Sequence, residues 1–326
     1  MDIEYGKSRT ISYHKEVRAT YRRRNMADRK IGYIGLGNMG GGMASHLLVS
    51  GYDVTVYDIR AEAVQALVDK GATAASSPRE VAEQCDVIVS SLPTPQIVES
   101  MATGEDGLVH GLSVGKIYID MSSIDPDTTR RVGAAVQAKG ADMLDVPVGM
   151  GPQQAATGAL TLMIGGSASV VEDCKDVLDT LGDQQFYCGE LGSGVTTKIV
   201  NNLVSCSVAT LLGEAVTMGV AAGLDPERLQ EVMDNTAAST LHGRTGLTGK
   251  VFERNFEPGF KLALSHKDLG LAAQLAASLG ASNMVGSAAY QVQTLAMGKG
   301  LGNEDQYAAI KVAEETAGVE VKGDGN

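Results

Sequence analysis

The chain has 326 residues, of which 39 are acidic and 27 are basic, so its formal net charge at pH 7 is −12. Nucleic acids and anionic membranes bind proteins through cationic patches, so this balance argues against either kind of partner. A chain of this length predicts a globular protein of two domains with a sizeable core. That core is predicted to be aliphatic, since the chain contains 10 tyrosines, 4 phenylalanines and no tryptophan, and its 40 glycines indicate many tight turns.

The four cysteines show neither metal-type nor redox-type spacing. Cys85, Cys174, Cys188 and Cys206 form no CxxC pair, so they are predicted to be small buried hydrophobes in a reducing compartment, and no metal site is expected. No apolar run in the sequence approaches the ~18 residues of a membrane span. A cytoplasmic location is the expectation.

The first 29 residues differ from the rest of the chain, because basic side chains crowd a segment with almost no apolar periodicity. Asp2, Glu4 and Glu16 do not match the acid-poor composition of a transit peptide, and the apolar core of a secretion signal is absent. We expect a disordered extension, or a start codon placed ahead of the true one at Met26.

From Lys30 the pattern predicts a doubly wound α/β domain of the Rossmann type, over residues 30–191, because short β-branched runs alternate with helical stretches. The predicted strands are Ile31–Ile34, Val54–Tyr57, Val87–Ser90, Ile117–Asp120, Met143–Val146 and Leu160–Ile164. The predicted helices include Met39–Val49, Ala61–Val68, Pro126–Ala138 and Val170–Leu181.

After Gly189 the strand signals stop, and the chain from 192 to 320 is predicted to be an all-helical domain. Its first helix runs from Ser193 to Gly223, long enough to bridge two domains. Further helices are predicted at Glu227–Asp234, Leu262–Leu279, Ser287–Met297 and Glu304–Glu315.

A GxGxxG motif directly follows the first strand and predicts a dinucleotide site. Its glycines permit a tight turn, close approach to a pyrophosphate, and packing of helix on strand. The motif and the residues around the end of the second strand are the candidate cofactor contacts: Gly35, Leu36, Gly37, Asn38, Met39, Gly40, Asp58, Ile59 and Arg60. An acidic Asp58 favours NAD over NADP, although Arg60 beside it is able to pair with a 2′-phosphate. The alternative for Asp58 is a carboxylate that merely caps the next helix.

A second constellation lies on the long helix. Lys198 and Asn202 are four residues apart and therefore share one face. Desolvation and the helix dipole both act to lower the pKa of a lysine in the first two turns, which suits a general acid/base. The residues alone leave an exposed lysine and asparagine on a solvated face as an equal alternative.

Six motifs occur in the order in which the β-hydroxyacid dehydrogenase family has them, and the chain resembles that family from about residue 30 to about 312. They are IGYIGLGNMG at 31–40, SLP at 91–93, DMSS at 120–123, DVPVG at 145–149, GSGVTTKIVNN at 192–202 and SHKDLGLA at 265–272. The resemblance implies that Lys198 gives a proton to a carbonyl oxygen during reduction and that Asn202 orients the substrate.

The resemblance implies further contacts on both cofactor and substrate. On the cofactor they are Leu92, Pro93, Ser123 and Lys267. On the substrate they are Ser123, Phe260 and Asp268. From the residues alone, Lys267 and Asp268 also fit a surface charge pair at a helix start.

One departure concerns the substrate loop, where the family has a serine followed by two glycines. Here Gly149, Met150 and Gly151 take those three places, which leaves only backbone N–H groups to hold a carboxylate. DVPVG is similar to sulfolactaldehyde reductase, yet Met150 stands where that branch has an arginine for the sulfonate. His242 is a candidate anion donor, although a lone histidine is more often structural.

Together these features predict an NAD(P)-dependent oxidoreductase that interconverts a short β-hydroxyacid, or a related anionic primary alcohol, with its semialdehyde. NADH is the preferred cofactor, with NADP possible, and a homodimer or homotetramer is implied by the resemblance. The alternatives are an aldehyde reductase of the sulfolactaldehyde type, an imine reductase, or a non-catalytic cofactor-binding sensor.

Overall fold

The computed structural model describes residues 29–323, which form parts of two compact units, 1–198 and 199–326. The division falls seven residues after the predicted boundary at 191, because it lies within a long helix rather than before it. The predicted N-terminal extension lies outside the described residues, apart from Arg29.

The first unit contains one sheet of nine strands, in the order β3-β2-β1-β4-β5-β6-β8-β7, with β9 paired to β8. The pairs from β3 to β6 are parallel, β8 is antiparallel to β6 and β7, and β9 is parallel to β8. This confirms the Rossmann-type prediction and adds a mixed edge to it. The strands are β1 Lys30–Ile34, β2 Asp53–Tyr57, β3 Thr73–Ala74, β4 Val87–Ser90, β5 Ile117–Asp120, β6 Asp142–Asp145, β7 Val148–Gly149, β8 Thr161–Gly165 and β9 Gln184–Gly189.

The central strands are buried on both faces, as a sheet covered by helices on each side requires. Val87 and Val89 of β4 belong to one apolar cluster, whereas Ile88 between them belongs to another. Alternate residues of a strand point to opposite faces, so the two clusters are the cores above and below the sheet.

Eight α-helices lie between residues 29 and 192 of the first unit. Those of the first unit are α1 Gly40–Val49, α2 Ala61–Val68, α3 Pro78–Gln84, α4 Pro95–Thr103, α5 Pro126–Gln137, α6 Pro152–Ala155, α7 Ala168–Asp173 and α8 Lys175–Leu181. Several begin with a polar N-cap followed by proline; Ser77, Thr94 and Asp125 each accept a first-turn N–H group. The predicted helix Val170–Leu181 is two helices that meet at Cys174.

Within residues 199–323 the regular elements of the second unit are helices, as predicted, apart from one isolated bridge between Lys261 and Asp305. Its α-helices, counting α9 which begins in the first unit, are α9 Ser193–Ala221, α10 Pro226–Asp234, α11 Leu262–Leu279, α12 Met284–Gly298 and α13 Ile310–Ala317. A π-helix over His242–Phe252 was not predicted. The predicted helix at 304–315 is a short 3₁₀ turn followed by α13.

By length and composition, helix α9 is apolar enough to cross a membrane, contrary to the expectation from the sequence. In its most apolar window, 44 % of the residues are buried inside the protein. Leu212 and Val216 pack into the core of the second unit beside Leu247 and Ile310. The apolar character of α9 therefore has a partner in the protein's own core.

Candidate active site

The loop Gly35–Gly40 joins β1 to α1, and close packing requires two of its glycines, Gly35 and Gly40. Gly35 has a φ of +90°, and a Cβ there would lie 2.5 Å from the carbonyl oxygen of Ser91. A Cβ at Gly40 would overlap the carbonyl oxygen of Gly35, whereas Gly37 faces open space. The N–H groups of Gly41 and Met43 in the first turn of α1 donate to the carbonyl oxygens of Gly37 and Met39, so it is the open face of Gly37 and the positive end of the helix dipole that suit a pyrophosphate.

Asp58, at the end of β2, is tied to the same loop. Its carboxylate accepts the N–H of Leu36 at 2.7 Å, the N–H of Arg60 at 2.9 Å, and the Arg60 guanidinium at 3.1 and 3.2 Å. Burial acts to raise the pKa of Asp58, but these hydrogen bonds outweigh it and hold that pKa below its usual value. Asp58 thus holds the loop as an ionised group and does not act as an N-cap of α2, whose cap residue is Arg60.

A buried serine and aspartate support the loop that contains Leu92 and Pro93. Asp120, at the end of β5, accepts the hydroxyl and the N–H of Ser122 at 2.6 and 3.1 Å. The Ser122 hydroxyl oxygen in turn accepts the N–H of Leu92 at 2.9 Å. Sequence reasoning chose Ser123, which lies half-buried next in the chain, and did not find the positioning contacts of Ser122.

The loop after β6 carries a strained residue. Met150 has a φ of +76°, a left-handed conformation that costs a residue with a side chain roughly 1–2 kcal/mol, and its side chain is 64 % exposed. Gly149 pairs with Thr161 in β8, and the Gly151 N–H donates to the Gln154 side chain at 3.2 Å. One of the backbone donors predicted for an anion is therefore already engaged by the protein.

Lys198 lies half-buried in the second turn of α9. The start of this helix is held by Asp145, whose carboxylate accepts the N–H groups of Gly192 at 2.7 Å and Val195 at 2.8 Å. Asp145 is fully buried. Sequence reasoning placed Asp145 in a motif without assigning it a role.

In the second unit, Asn202 and Asp268 form a buried pair. The Asn202 side-chain N–H donates to Asp268 at 2.6 Å, and its carbonyl oxygen accepts from Asn201 at 3.0 Å. Lys267 pairs with the other oxygen of Asp268 at 3.0 Å. Because the Asp268 side chain is only 6 % exposed, a surface charge pair does not describe it.

His242 begins the π-helix and has both ring nitrogens engaged. Nε2 lies 2.8 Å from the Ser205 hydroxyl, and Nδ1 lies 2.5 Å from the Tyr307 hydroxyl. Burial lowers the pKa of His242, which favours the neutral ring. With Ser205, Thr240 and the valines of α9, it lines an open groove of about 440 Å³.

Phe260 was expected to form an aromatic wall. It packs, half-buried, on the cluster of Cys206, Leu269 and Ala289. No group of three or more His, Cys, Asp or Glu residues within 29–323 is arranged to hold a metal ion.

Two family models match the chain. The first, the NAD binding domain of 6-phosphogluconate dehydrogenase, matches residues 30–189. The second, described as the NAD-binding region of NADP-dependent 3-hydroxyisobutyrate dehydrogenase, matches residues 192–313. Each model therefore covers nearly the whole described part of one predicted domain.

Curated relatives match over most of the chain. The 3-sulfolactaldehyde reductase of Escherichia coli strain K12 is 38 % identical over 292 residues, which cover 90 % of this chain and 98 % of the relative. The 2-(hydroxymethyl)glutarate dehydrogenase of Eubacterium barkeri is 37 % identical, with coverage of 90 % and 98 %.

A similar solved structure is the Mycobacterium tuberculosis 3-hydroxyisobutyrate dehydrogenase with L-serine. It is 28 % identical and has a TM-score of 0.81; the match covers 87 % of this chain and 98 % of that one.

Proposed function

This chain belongs to the β-hydroxyacid dehydrogenase family, and we propose that Lys198 is the proton donor and acceptor of its reaction. The protein is an NAD(P)-dependent oxidoreductase that interconverts a short β-hydroxyacid, or a related anionic primary alcohol, with its semialdehyde. The observation that carries the proposal is the position of Lys198, which is half-buried in the second turn of α9. The start of that helix is held by Asp145 at the carboxyl end of strand β6 of the dinucleotide-binding sheet.

The residues around the sheet edge fit the cofactor. NAD(P)H supplies the hydride when bound, and NAD(P)⁺ takes it back in the reverse direction. The glycine cradle and the open face of Gly37 suit the pyrophosphate, and Asp58 suits the ribose. The residues that would hold the cofactor are Gly35, Leu36, Gly37, Asn38, Met39, Gly40, Asp58, Ile59, Arg60, Leu92, Pro93, Ser123 and Lys267.

During reduction the Lys198 ammonium donates its proton to the carbonyl oxygen as the new C–H bond forms at the carbonyl carbon. The product is an alcohol, and the neutral amine regains a proton from water. During oxidation the neutral amine takes the hydroxyl proton as the C–H bond breaks. General acid/base catalysis of this kind contributes typically 10²–10⁴-fold to the rate.

Asn202 is four residues from Lys198 on α9 and serves to orient the reacting oxygen. Its amide is held by Asp268 on one side and Asn201 on the other, so the direction of its dipole is fixed. In this interpretation Asp268 acts through Asn202. His242 is a neutral ring whose two nitrogens are held by Ser205 and Tyr307, so its position is fixed as well. Phe260 supports the substrate pocket from the side away from the substrate.

The substrate is a small aldehyde or alcohol with an anionic end. Ser123 and the backbone of Gly149 and Gly151 would face the anion, and the Gly151 N–H would have to leave the Gln154 side chain to bind it. The exposed Met150 side chain adds an apolar surface that a simple three-carbon acid does not use. Relatives of the chain include enzymes named for a sulfonated aldehyde and for a branched diacid, and both are larger than a simple three-carbon acid. We therefore favour a substrate with more than one substituent or charge.

NADH is the favoured cofactor, because the ionised Asp58 carboxylate would repel a 2′-phosphate. The Arg60 guanidinium, which is bound to Asp58, is the residue that would make NADPH acceptable.

The test is oxidation of NADH and, in parallel, NADPH at neutral pH with succinic semialdehyde, glyoxylate, tartronate semialdehyde, methylmalonate semialdehyde and sulfolactaldehyde. Turnover of one aldehyde supports the proposal and identifies the anionic group that the loop selects. Binding of NADH without turnover of any aldehyde would instead favour a non-catalytic sensor.

A homodimer or homotetramer is proposed as well. Exposed apolar side chains recur along α9 at spacings of four and seven residues, which places them on one stripe of the helix. They are Val200, Val204, Leu211 and Met218, between 53 and 71 % exposed. Light scattering after gel filtration tests this: a monomer of 33.9 kDa would contradict it, and a Val204→Lys variant is expected to weaken the assembly.

A further inference from the structure

The Asp145 carboxylate is the point at which the end of β6 meets the start of α9. Its two oxygens accept one N–H each, from Gly192 and Val195, residues 47 and 50 positions later in the chain. These are N–H groups that a helix start leaves without partners inside the helix. Asp145 therefore caps α9 from another element, whereas α3, α4 and α5 are each capped by the side chain of the residue directly before them.

The surroundings of this carboxylate leave no room for other side chains. A Cβ at Gly165 of β8 would overlap the Asp145 carboxylate, and a Cβ at Gly194 of α9 would overlap the carbonyl oxygen of Met163 and come within 2.9 Å of the carboxylate. Two glycines on two different elements are thus needed for the strand end and the helix start to approach so closely.

Asp145 also begins the substrate loop, because Val146–Gly151 follows it directly. On the other side, Lys198 lies three residues beyond Val195, about 4.5 Å further along the helix. One buried side chain is therefore linked covalently to the substrate loop and by hydrogen bonds to the helix turn that precedes Lys198.

We propose that Asp145 is a positioning residue for the reaction: its carboxylate fixes the start of α9, and thereby sets both the place and the electrostatic surroundings of the Lys198 amine. This inference rests on the proposed role of Lys198. A misplacement of about 1 Å at a reacting group costs roughly 10²-fold in rate.

The charged groups around Asp145 influence the pKa of its carboxylate and therefore its charge at a given pH. Asp120, its register partner on β5, faces it from the sheet; Arg130 of α5 packs against Gly192; and Gly165 on β8 adds no charge. Burial and, to a smaller extent, the charge of Asp120 raise the pKa of Asp145 to about 6, against the lowering effect of the Gly192 and Val195 N–H groups. Above pH 7 the carboxylate is ionised and offsets the positive dipole end of α9 near Lys198.

The experiment compares Asp145→Asn with Asp225→Asn, which changes an exposed N-cap carboxylate on α10 that has no proposed role in the reaction. For each, kcat for aldehyde reduction is measured from pH 6 to 10, together with the dissociation constant for NADH. Asp145→Asn is expected to lower kcat 10- to 100-fold, to leave NADH binding within about threefold, and to move the alkaline loss of activity to lower pH by about half a unit or more. Asp225→Asn is expected to match the wild type.

The decisive result is the shift of the alkaline limb, which is the fall of kcat at high pH. Loss of packing alone would lower kcat without changing the pH at which this fall occurs. A wild-type alkaline limb in Asp145→Asn would overturn the inference, whatever the loss in kcat. Asp145→Ser is the second variant: it removes the charge, keeps one acceptor oxygen and places no amide donor against the helix N–H groups. If Asp145→Asn does not fold, the same limb shift in Asp145→Ser is the expected result, and its absence there overturns the inference.

Lys198→Ala separates this inference from the proposed function. If that variant keeps wild-type turnover, the role of Lys198 fails and with it the basis of the inference. If it loses turnover and Asp145→Asn keeps the wild-type alkaline limb, only the role of Asp145 fails. In a Lys198→Ala background, Asp145→Asn is expected to have no further effect on residual turnover, since both changes act on the same amine.

Discussion

The two units hold their functional groups by different means. In the first unit, carboxylates and hydroxyls at the ends of strands accept backbone N–H groups: Asp58 from Leu36, Asp145 from Gly192, and Ser122 from Leu92. In the second unit, side chains on different helices contact one another, as Asn202 does Asp268. Backbone positions are fixed in the first case and side-chain directions in the second, so substitutions in the two units should have different kinetic signatures.

The largest effect is expected from Lys198→Ala, which removes the group that moves the proton. We expect kcat to fall by roughly 10²–10⁴-fold, with little change in NADH affinity. Steady-state kinetics and NADH fluorescence titration measure the two quantities. Lys299→Ala, which removes a lysine from an exposed ion pair, is the matched control. Near-normal turnover of Lys198→Ala would remove the lysine from the mechanism.

Asp268→Asn tests the second unit. The change places an amide N–H or a weaker acceptor opposite the Asn202 amide and leaves Lys267 without its carboxylate. We expect kcat to fall about 10- to 100-fold and the free energy of unfolding to fall by about 1–3 kcal/mol. The comparison between the units predicts that the orientation of the Asn202 amide affects the chemical step. If Asp268→Asn changed only the dissociation constant for NADH, that comparison would be contradicted.

Asp58→Asn tests the first unit and is expected to act on cofactor binding and cofactor choice rather than on the chemical step. Removing the charge that opposes a 2′-phosphate should raise kcat/KM with NADPH relative to NADH by about tenfold, or about 1.4 kcal/mol. The kcat with saturating NADH should change little. Arg60→Ala is the paired variant and should lower the use of NADPH. An unchanged ratio of the two cofactors in both variants would contradict the assignment.

The last effect is on stability against pH rather than on activity. The pKa of Asp145 is about 6 in the folded protein and 3.8 in an unstructured chain, so between these values the folded state holds a proton that the unfolded chain has released. The contribution of Asp145 to the free energy of unfolding therefore declines as pH rises from about 4 to 6, by roughly 1–3 kcal/mol, and is constant above. Comparing Tm from pH 4 to 8, the decline should be absent in Asp145→Asn; parallel curves would contradict it.

The central sheet was predictable because buried parallel strands consist of β-branched and aliphatic runs. Val87–Ser90 and Ile117–Asp120 have the predicted bounds. The edge strand Gln184–Gly189 was missed because all six of its residues are exposed or half-buried, so it lacks the buried aliphatic run that marks the central strands. The π-helix His242–Phe252 was missed because its hydrogen bonds do not follow the 3.6-residue period on which helix prediction rests.

The candidate site was predictable only where a short motif carries its own geometry, as Gly35–Gly40 does. The partners of Asp145, Asn202 and His242 lie between 37 and 66 positions away in the chain, and no local pattern pairs them. The prediction of His242 as an anion donor considered its chemistry but not its neighbours, Ser205 and Tyr307, which engage both nitrogens.

The contacts of Asp58 bear on how fast the spent cofactor leaves. Its two oxygens already accept four N–H groups, one from Leu36 and three from Arg60, which fill the lone pairs of a carboxylate. A ribose hydroxyl that binds Asp58 must therefore exchange places with the Arg60 guanidinium, and the net gain is smaller than two new hydrogen bonds would suggest. When the cofactor dissociates, the Arg60 guanidinium binds the Asp58 carboxylate again. This competition between the guanidinium and the ribose favours fast release of the cofactor over tight binding.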